Sequence, residues 1–306
     1  VETTNTTNAL IETSLGDLKP VARGKVRDIY DLGERLLIVA TDRISAFDVV
    51  LPSPIPGRGK VLTRMSRFWF EKTTHIIPNH LISCDVADFP DPLPQFRDQL
   101  EGRSMLVKKC TRIDFECVAR GYICGSLFKE YREALESAGG DRIELLGFTF
   151  PTNLVNSQKL DATIFTPAIK SESGHDENVS FEYMAKEVGQ ALAAQLRDVT
   201  IRLYEWCANH AARHGIIIAD TKFEFGLDGH TLTLIDEICS PDSSRFWPQG
   251  RYTPGQSQPS FDKQIVRDYL LSIQWDKKPP APELPDDVIQ KTAAKYEEVQ
   301  NRLIRG

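Results

Sequence analysis

The chain has 306 residues, 41% hydrophobic and 26% charged, with a formal net charge of -6, enough for a large core in one domain or two lobes. A mildly acidic chain with no long Lys/Arg run argues against nucleic acid as the main partner, because counterion release needs a basic face, and no stretch approaches the roughly 20 apolar residues of a membrane span. The polar start Val1–Asn8 lacks the basic and apolar parts of a signal peptide, and the six cysteines form no C-x-x-C pair, so a cytoplasmic protein with reduced thiols is expected.

Residues 1–14 are expected to be a mobile tail, with order beginning near Leu18. Val21–Tyr30, Leu36–Thr41 and Phe47–Leu51 read as short strands. A helix is predicted over Leu62–Glu71, with Pro78 enforcing a stop. The Pro- and Asp-rich stretch 88–98 reads as a surface loop. Met105–Lys109 and Phe115–Val118 are further strands, so the first third is β-rich. Leu127–Leu135 has helical spacing, with Ser126 placed to cap it. Gly139–Gly174 shows little periodicity and is assigned to loops. Ser180 opens the longest predicted helix, with Phe181, Met184, Val188, Leu192, Leu196, Val199 and Leu203 in one apolar stripe and Gly215 past its end. Two more helices are expected over Phe261–Leu271 and Asp286–Leu303, joined by the Pro-rich linker Lys278–Pro285.

The most informative stretch is 216–247. An apolar strand carries Asp220, Lys222 and Glu224 at alternate positions, so these share one face while Ala219, Thr221, Phe223, Phe225 and Leu227 share the other. It turns at Asp228-Gly229 and returns through Leu232 to Asp236 and Glu237. Carboxylates and a lysine on one face suit a Mg-phosphate site, although a hairpin with a solvated charged face has the same pattern. A two-residue turn at 228–229 would pair Asp220 with Glu237, and a three-residue loop would pair it with Asp236.

Four other clusters carry chemistry-bearing groups. Ala22-Arg23-Gly24-Lys25-Val26-Arg27 places a glycine between cations at a strand start, which suits phosphate binding as well as a surface turn. Arg120 and Gly125-Ser126 flank a strand-to-helix turn, where free N–H groups, a hydroxyl and a guanidinium suit a second phosphate. Alone, this reads better as a Gly-Ser turn and helix cap with Arg120 in a structural ion pair. Thr163–Pro167, Lys170 and Gly174-His175-Asp176-Glu177-Asn178 precede the long helix. No Ser or Cys nucleophile elbow accompanies His175, which excludes hydrolase chemistry. Thr41-Asp42-Arg43-Ile44-Ser45-Ala46-Phe47-Asp48 is either an Asx-capped turn or a wall of the same cleft.

Together the segments GKVRDIY (24–30), TDRISAFD (41–48), ARGYICGS with KEY (119–131), IFTPAIKSESGHDENVS (164–180), IIIADTKFEFG (216–226) and IDEICSPDSSRFW (235–247) resemble the SAICAR synthetase family of purine biosynthesis. The GHDEN form and the long final helical region resemble its eukaryotic, fungal-type branch.

The resemblance implies an α+β fold related to ATP-grasp enzymes, with a β-rich lobe over 15–109, a larger α+β lobe over 110–306, and ATP between them. It implies ATP-dependent ligation of L-aspartate to the carboxylate of CAIR, a carboxylated aminoimidazole ribotide, through an acyl phosphate. ATP and Mg²⁺ are the implied cofactors and a monomer is expected. Glu224 and Asp236 would hold the metal, with Glu237 in reserve. Lys222 would stabilise charge on the acyl phosphate, and Asp220 would orient Lys222 or the amine. Arg23, Gly24, Lys25 and Val26 would hold ATP phosphates, and the strand from Leu106 to Lys108 would offer backbone groups to adenine. Arg120, Ser126 and Arg245 would bind CAIR, and Ser45, Lys170, His175 and Asn178 are candidates for the aspartate pocket. No residue is assigned as base for the amine. The alternative is a small-molecule kinase, against which stands the absence of H-R-D and D-F-G; a nucleotide sensor on an inactive fold is opposed by Lys222, Glu224 and Asp236.

Overall fold

The computed structural model describes residues 9–137, 139–170, 176–261 and 263–305. The architecture is α+β with two large antiparallel sheets and two small hairpins among the described residues. The first has the strands Ala22–Arg23, Arg27–Asp31, Arg35–Ala40, Ser104–Lys108 and Leu81–Ser83 as spatial neighbours in that order. Its alternating apolar residues, among them Tyr30, Leu37, Val39 and Leu106, pack with Leu15, Val86 and Leu93 into a core of their own. The expected tail therefore ends earlier than residue 14: Thr13 is 1% exposed, and its amide and hydroxyl both donate to Asp28.

The second sheet runs Asp176–Asn178, Gln158–Lys170, Glu116–Ile123, Ile216–Asp228, Thr231–Ile235, and Ser244–Pro248 also pairs with Ile216–Asp228. One face is apolar and is covered by the helix Gln190–Arg213, whose Leu196, Leu203 and Cys207 join Cys117, Phe223 and Phe225 in the main core. Tyr204 locks the layers by donating to the Ile218 carbonyl at 2.8 Å. That core also takes Ile38, Met105 and Val107 from the first sheet, and Met65 and Trp69 from the helix Arg58–Thr73.

Several expectations change. The region 139–174, read as loops, contains a hairpin of Arg142–Leu145 with Phe148–Pro151 and the strand Gln158–Lys170. The long helix is broken: Gly189, at φ 89°, separates Phe181–Val188 from Gln190–Arg213, a conformation favouring glycine. Ser180 does cap the first piece, accepting the Tyr183 amide. Phe47–Leu51 is reduced to Val49–Val50, paired with Ser45–Ala46. The first helix starts at Arg58, four residues before Leu62, and the last runs over Asp286–Arg305.

Candidate functional site

The polar face of the second sheet is set by register. Asp220 lies opposite Arg120 and Lys222 opposite Val118, while Arg120 lies opposite Ile164 and Val118 opposite Thr166 on the other side. Directly paired residues project to the same face, so Asp220, Lys222, Arg120 and Thr166 rise together, away from the apolar helix layer.

At one end is a guanidinium cluster. Arg120, 4% exposed, donates from Nε to Thr166 at 2.8 Å and from Nη1 to Asp220 at 2.9 Å. Its Nη2 reaches Ser126 at 3.2 Å and Asn178 at 3.1 Å. Arg245 pairs with the same Asp220 oxygen. A cavity of about 150 Å³ opens here, lined by Arg120, Ser126, Asn178, Asp220, Lys222 and Arg245 among others. The helix Gly125–Glu136 points its N-terminus at this cluster with no side-chain cap, leaving orphan N–H groups that favour an anion. Gly125 sits at φ 58°, and a Cβ there would strike the Arg245 guanidinium.

At the other end carboxylates outnumber cations. Lys222 Nζ lies 2.6 Å from Glu116 and 3.6 Å from Glu224. Burial works to lower the lysine, yet Glu116, Glu224 and Asp236 more than offset it and hold Lys222 above the usual lysine range. Burial pushes Glu116 up to about 7, against the pull of Lys222 and with the push of Asp176. Asp236 is raised by burial, lowered by Arg27 and raised again by Glu224. One lysine and one arginine thus share several acids, a balance that a divalent cation would relieve.

The hairpin turn falls at Gly229-His230, because Asp228 pairs with Thr231 and Glu224 with Ile235. Neither expected register holds. The strand ends at Ile235, and Asp236, at φ 65°, leaves the ladder. Arg27 bridges Asp236 and Glu237. Glu237 accepts the Ser240 hydroxyl on its second oxygen, while Asp236 feels the charge of Glu224 besides burial and Arg27.

Known proteins match this chain over nearly its whole length. The SAICAR synthetase family model matches residues 20–282. The phosphoribosylaminoimidazole-succinocarboxamide synthases of Geobacter metallireducens and Thermodesulfovibrio yellowstonii are 53% and 51% identical, over 97% and 95% of this chain and 98% and 97% of their own. The chain belongs to the SAICAR synthetase family. A solved SAICAR synthase from Saccharomyces cerevisiae, complexed with SAICAR, superposes with a TM-score of 0.86 at 39% identity, covering 97% of this chain and 99% of its own. As a SAICAR synthetase the chain is a ligase that uses ATP to form SAICAR in purine biosynthesis, and the kinase alternative is not favoured. The fungal-type expectation is not upheld: the bacterial relatives are more identical than the yeast protein and equally well covered. A long chain is therefore no mark of a fungal enzyme.

Of the residues expected in a SAICAR synthetase site, Arg120, Ser126, Arg245 and Asn178 meet at the guanidinium cluster. Asn178 joins the cluster through Arg120, Ser126 and Glu130. Ser126 is not a helix cap; its hydroxyl accepts from Arg120 and Asn178. Asp220 pairs with both arginines, its strand partner Arg120 standing directly opposite. Leu106 is fully buried, and its strand is paired on both sides with Leu37 and Ser83; it packs the core and offers no backbone edge to adenine. Lys108 is exposed and paired with Asp228. Arg23 pairs with Glu12 and Lys25 with Asp48, while the Gly24 amide closes a turn onto Arg27, and the Val26 carbonyl accepts from Thr41. Ser45 lies in the short hairpin packed toward the C-terminal helices. His175 and the Lys170 side chain lie outside the described residues.

Sequence reasoning missed Glu116, Asp242, Lys263 and Arg267. The last three line a cavity of about 110 Å³ with Asp220, Ser243 and Arg245. Lys263, 3.1 Å from Asp242, is drawn below the usual lysine range by burial, which outweighs the pull of Asp242. The available signal was PDSSR itself, an acid between turn residues beside a functional strand.

Proposed function

We propose that the chain joins L-aspartate to CAIR in two steps on the polar face of the second sheet. In the first, a CAIR carboxylate oxygen takes the γ-phosphoryl group of ATP, and ADP leaves. In the second, the aspartate amine attacks the acyl carbon, phosphate departs, and the amine loses a proton to give SAICAR. A carboxylate is a poor electrophile, so activation must precede attack; phosphoryl transfer then depends on positioning and charge neutralisation.

The single observation carrying this reading is the placement of an anion-binding guanidinium cluster and a lysine–carboxylate cluster side by side on one strand, at Asp220 and at Lys222–Glu224. Arg120, Ser126 and Arg245 hold the CAIR phosphate at the open helix N-terminus. Lys222, kept charged by its acids, sits beside the carboxylate being activated. Lys263 and Arg267, next to Arg245, suit the two carboxylates of aspartate.

The donor set fits Mg²⁺. Mg²⁺ takes one or two carboxylates and completes its shell with phosphate oxygens and water, and Glu224 and Asp236 are two hard oxygen donors, Asp236 being raised first by burial and further by the charge of Glu224. Among the described residues no group of three or more His, Cys, Asp or Glu is placed to hold a metal ion. When bound, the ion would neutralise ATP phosphate charge. Arg27 bridges Asp236 and Glu237, and the 23–27 turn beside it would take the ATP phosphates. ATP then lies between a lobe built on the first sheet and one built on the second.

Incubation with CAIR, aspartate, ATP and Mg²⁺ tests the proposal. Phosphate and a succinocarboxamide product should form only with all four present. Phosphate release without aspartate-dependent product would overturn it.

A further inference from the structure

The chain continues past residue 282, where the family match ends, into the helix Asp286–Arg305. Tyr296 in this helix is fully buried, and its hydroxyl donates to Oδ1 of Asp242 at 3.0 Å. The other carboxylate oxygen, Oδ2, takes Lys263 Nζ at 3.1 Å and the Arg58 guanidinium. Arg58 also lies over the Tyr296 ring, 5.8 Å from its centroid.

Asp242 belongs to the turn 240–244, which forms a wall of the site. The Asp242 amide donates to the Ser240 hydroxyl at 3.0 Å, and the Ser243 carbonyl accepts the Lys222 amide at 2.9 Å. Arg245, the next residue after the turn, pairs with Asp220. Three donors on two oxygens fix the Asp242 carboxylate in one orientation. Loss of the phenol leaves Oδ1 without that donor in a buried setting, where the carboxylate must turn to find another.

We propose that Tyr296 is a positioning residue for the ligation: through Asp242 it holds Lys263 and the 240–245 segment in the geometry that receives aspartate. This rests on the reading of the cavity at Lys263 and Arg267 as the aspartate pocket. Tyr296 itself touches no substrate. The C-terminal helix therefore contributes to substrate affinity as well as to packing.

Steady-state kinetics on the full chain, with the variants Tyr296→Phe, Lys263→Met and Val299→Ala, test this. Tyr296→Phe keeps the ring beneath Arg58 and removes only the hydroxyl. It should raise the aspartate KM about tenfold, equivalent to about 1.4 kcal/mol, and leave the ATP KM within about twofold. Lys263→Met should raise the aspartate KM as well. Val299→Ala thins the buried face of the same helix, three residues further on, and should lower the melting temperature with KM unchanged. A rise in Lys263→Met without one in Tyr296→Phe overturns the positioning role. No rise in either overturns the aspartate pocket and the positioning role with it. An equal rise in Val299→Ala reduces the effect to general loosening and overturns the role too.

Discussion

Replacing Arg120 with methionine removes a guanidinium and keeps most of the side-chain bulk. Four contacts go at once: Thr166, Asp220, Ser126 and Asn178, at 2.8, 2.9, 3.2 and 3.1 Å. Asp220 keeps Arg245, so the buried carboxylate is not left bare, and the loss of stability should be about 1–3 kcal/mol for the groups left unsatisfied. The effect on CAIR is separate. A charge-assisted contact to its phosphate is worth about 1.5–3 kcal/mol, which raises the CAIR KM by about tenfold to about a hundredfold. Initial rates with CAIR varied at saturating ATP and aspartate measure this, and urea unfolding measures the stability term. The ATP KM should hold, because Arg120 pairs with Asp220 whereas Arg27 pairs with Asp236. Equal rises for ATP and CAIR, or an unchanged CAIR KM in a folded variant, would refute the assignment.

Glu116 gives a pH signature: its folded value of about 7 lies above the 4.5 of an unperturbed glutamate, so the native state keeps a proton that the unfolded chain has released. Stability from this group is complete below the lower value and is lost as pH rises to the higher one. Glu116→Gln should therefore flatten the fall in melting temperature across that window, and an unchanged slope would contradict the burial argument. Gly125→Ala combines a left-handed backbone with a Cβ aimed at Arg245; it should weaken CAIR binding more than ATP binding, read as separate KM values. Glu224→Gln should lower kcat by about tenfold or more and shift Mg²⁺ activation to higher concentration; an unchanged Mg²⁺ titration of phosphate release would remove Glu224 from the metal site.

The alternation across 216–228 was legible because one face packs on a helix and the other carries charge. That pattern located Asp220, Lys222 and Glu224 on one face before any coordinates. The turn was not legible: Asp228-Gly229 has the usual hairpin pattern, yet Gly229-His230 makes the turn, and Asp236 leaves the strand for Arg27, far away in sequence. The strand Gln158–Lys170 was hidden by Pro167 and by a central position that blurs alternation. The break at Gly189 was masked by an apolar stripe that continues through it. Partners such as Glu116 to Lys222 and Tyr296 to Asp242 come from sequence separations that no local pattern encodes.

The most direct measurement follows the oxygen atoms of the CAIR carboxylate. CAIR labelled there with ¹⁸O should, in a complete reaction with ATP and aspartate, deliver one labelled oxygen to each phosphate released, because the acyl phosphate breaks at its carbon–oxygen bond when the amine attacks. Mass spectrometry of the phosphate reads the result. Unlabelled phosphate alongside normal SAICAR yield would contradict activation of the carboxylate on this sheet face.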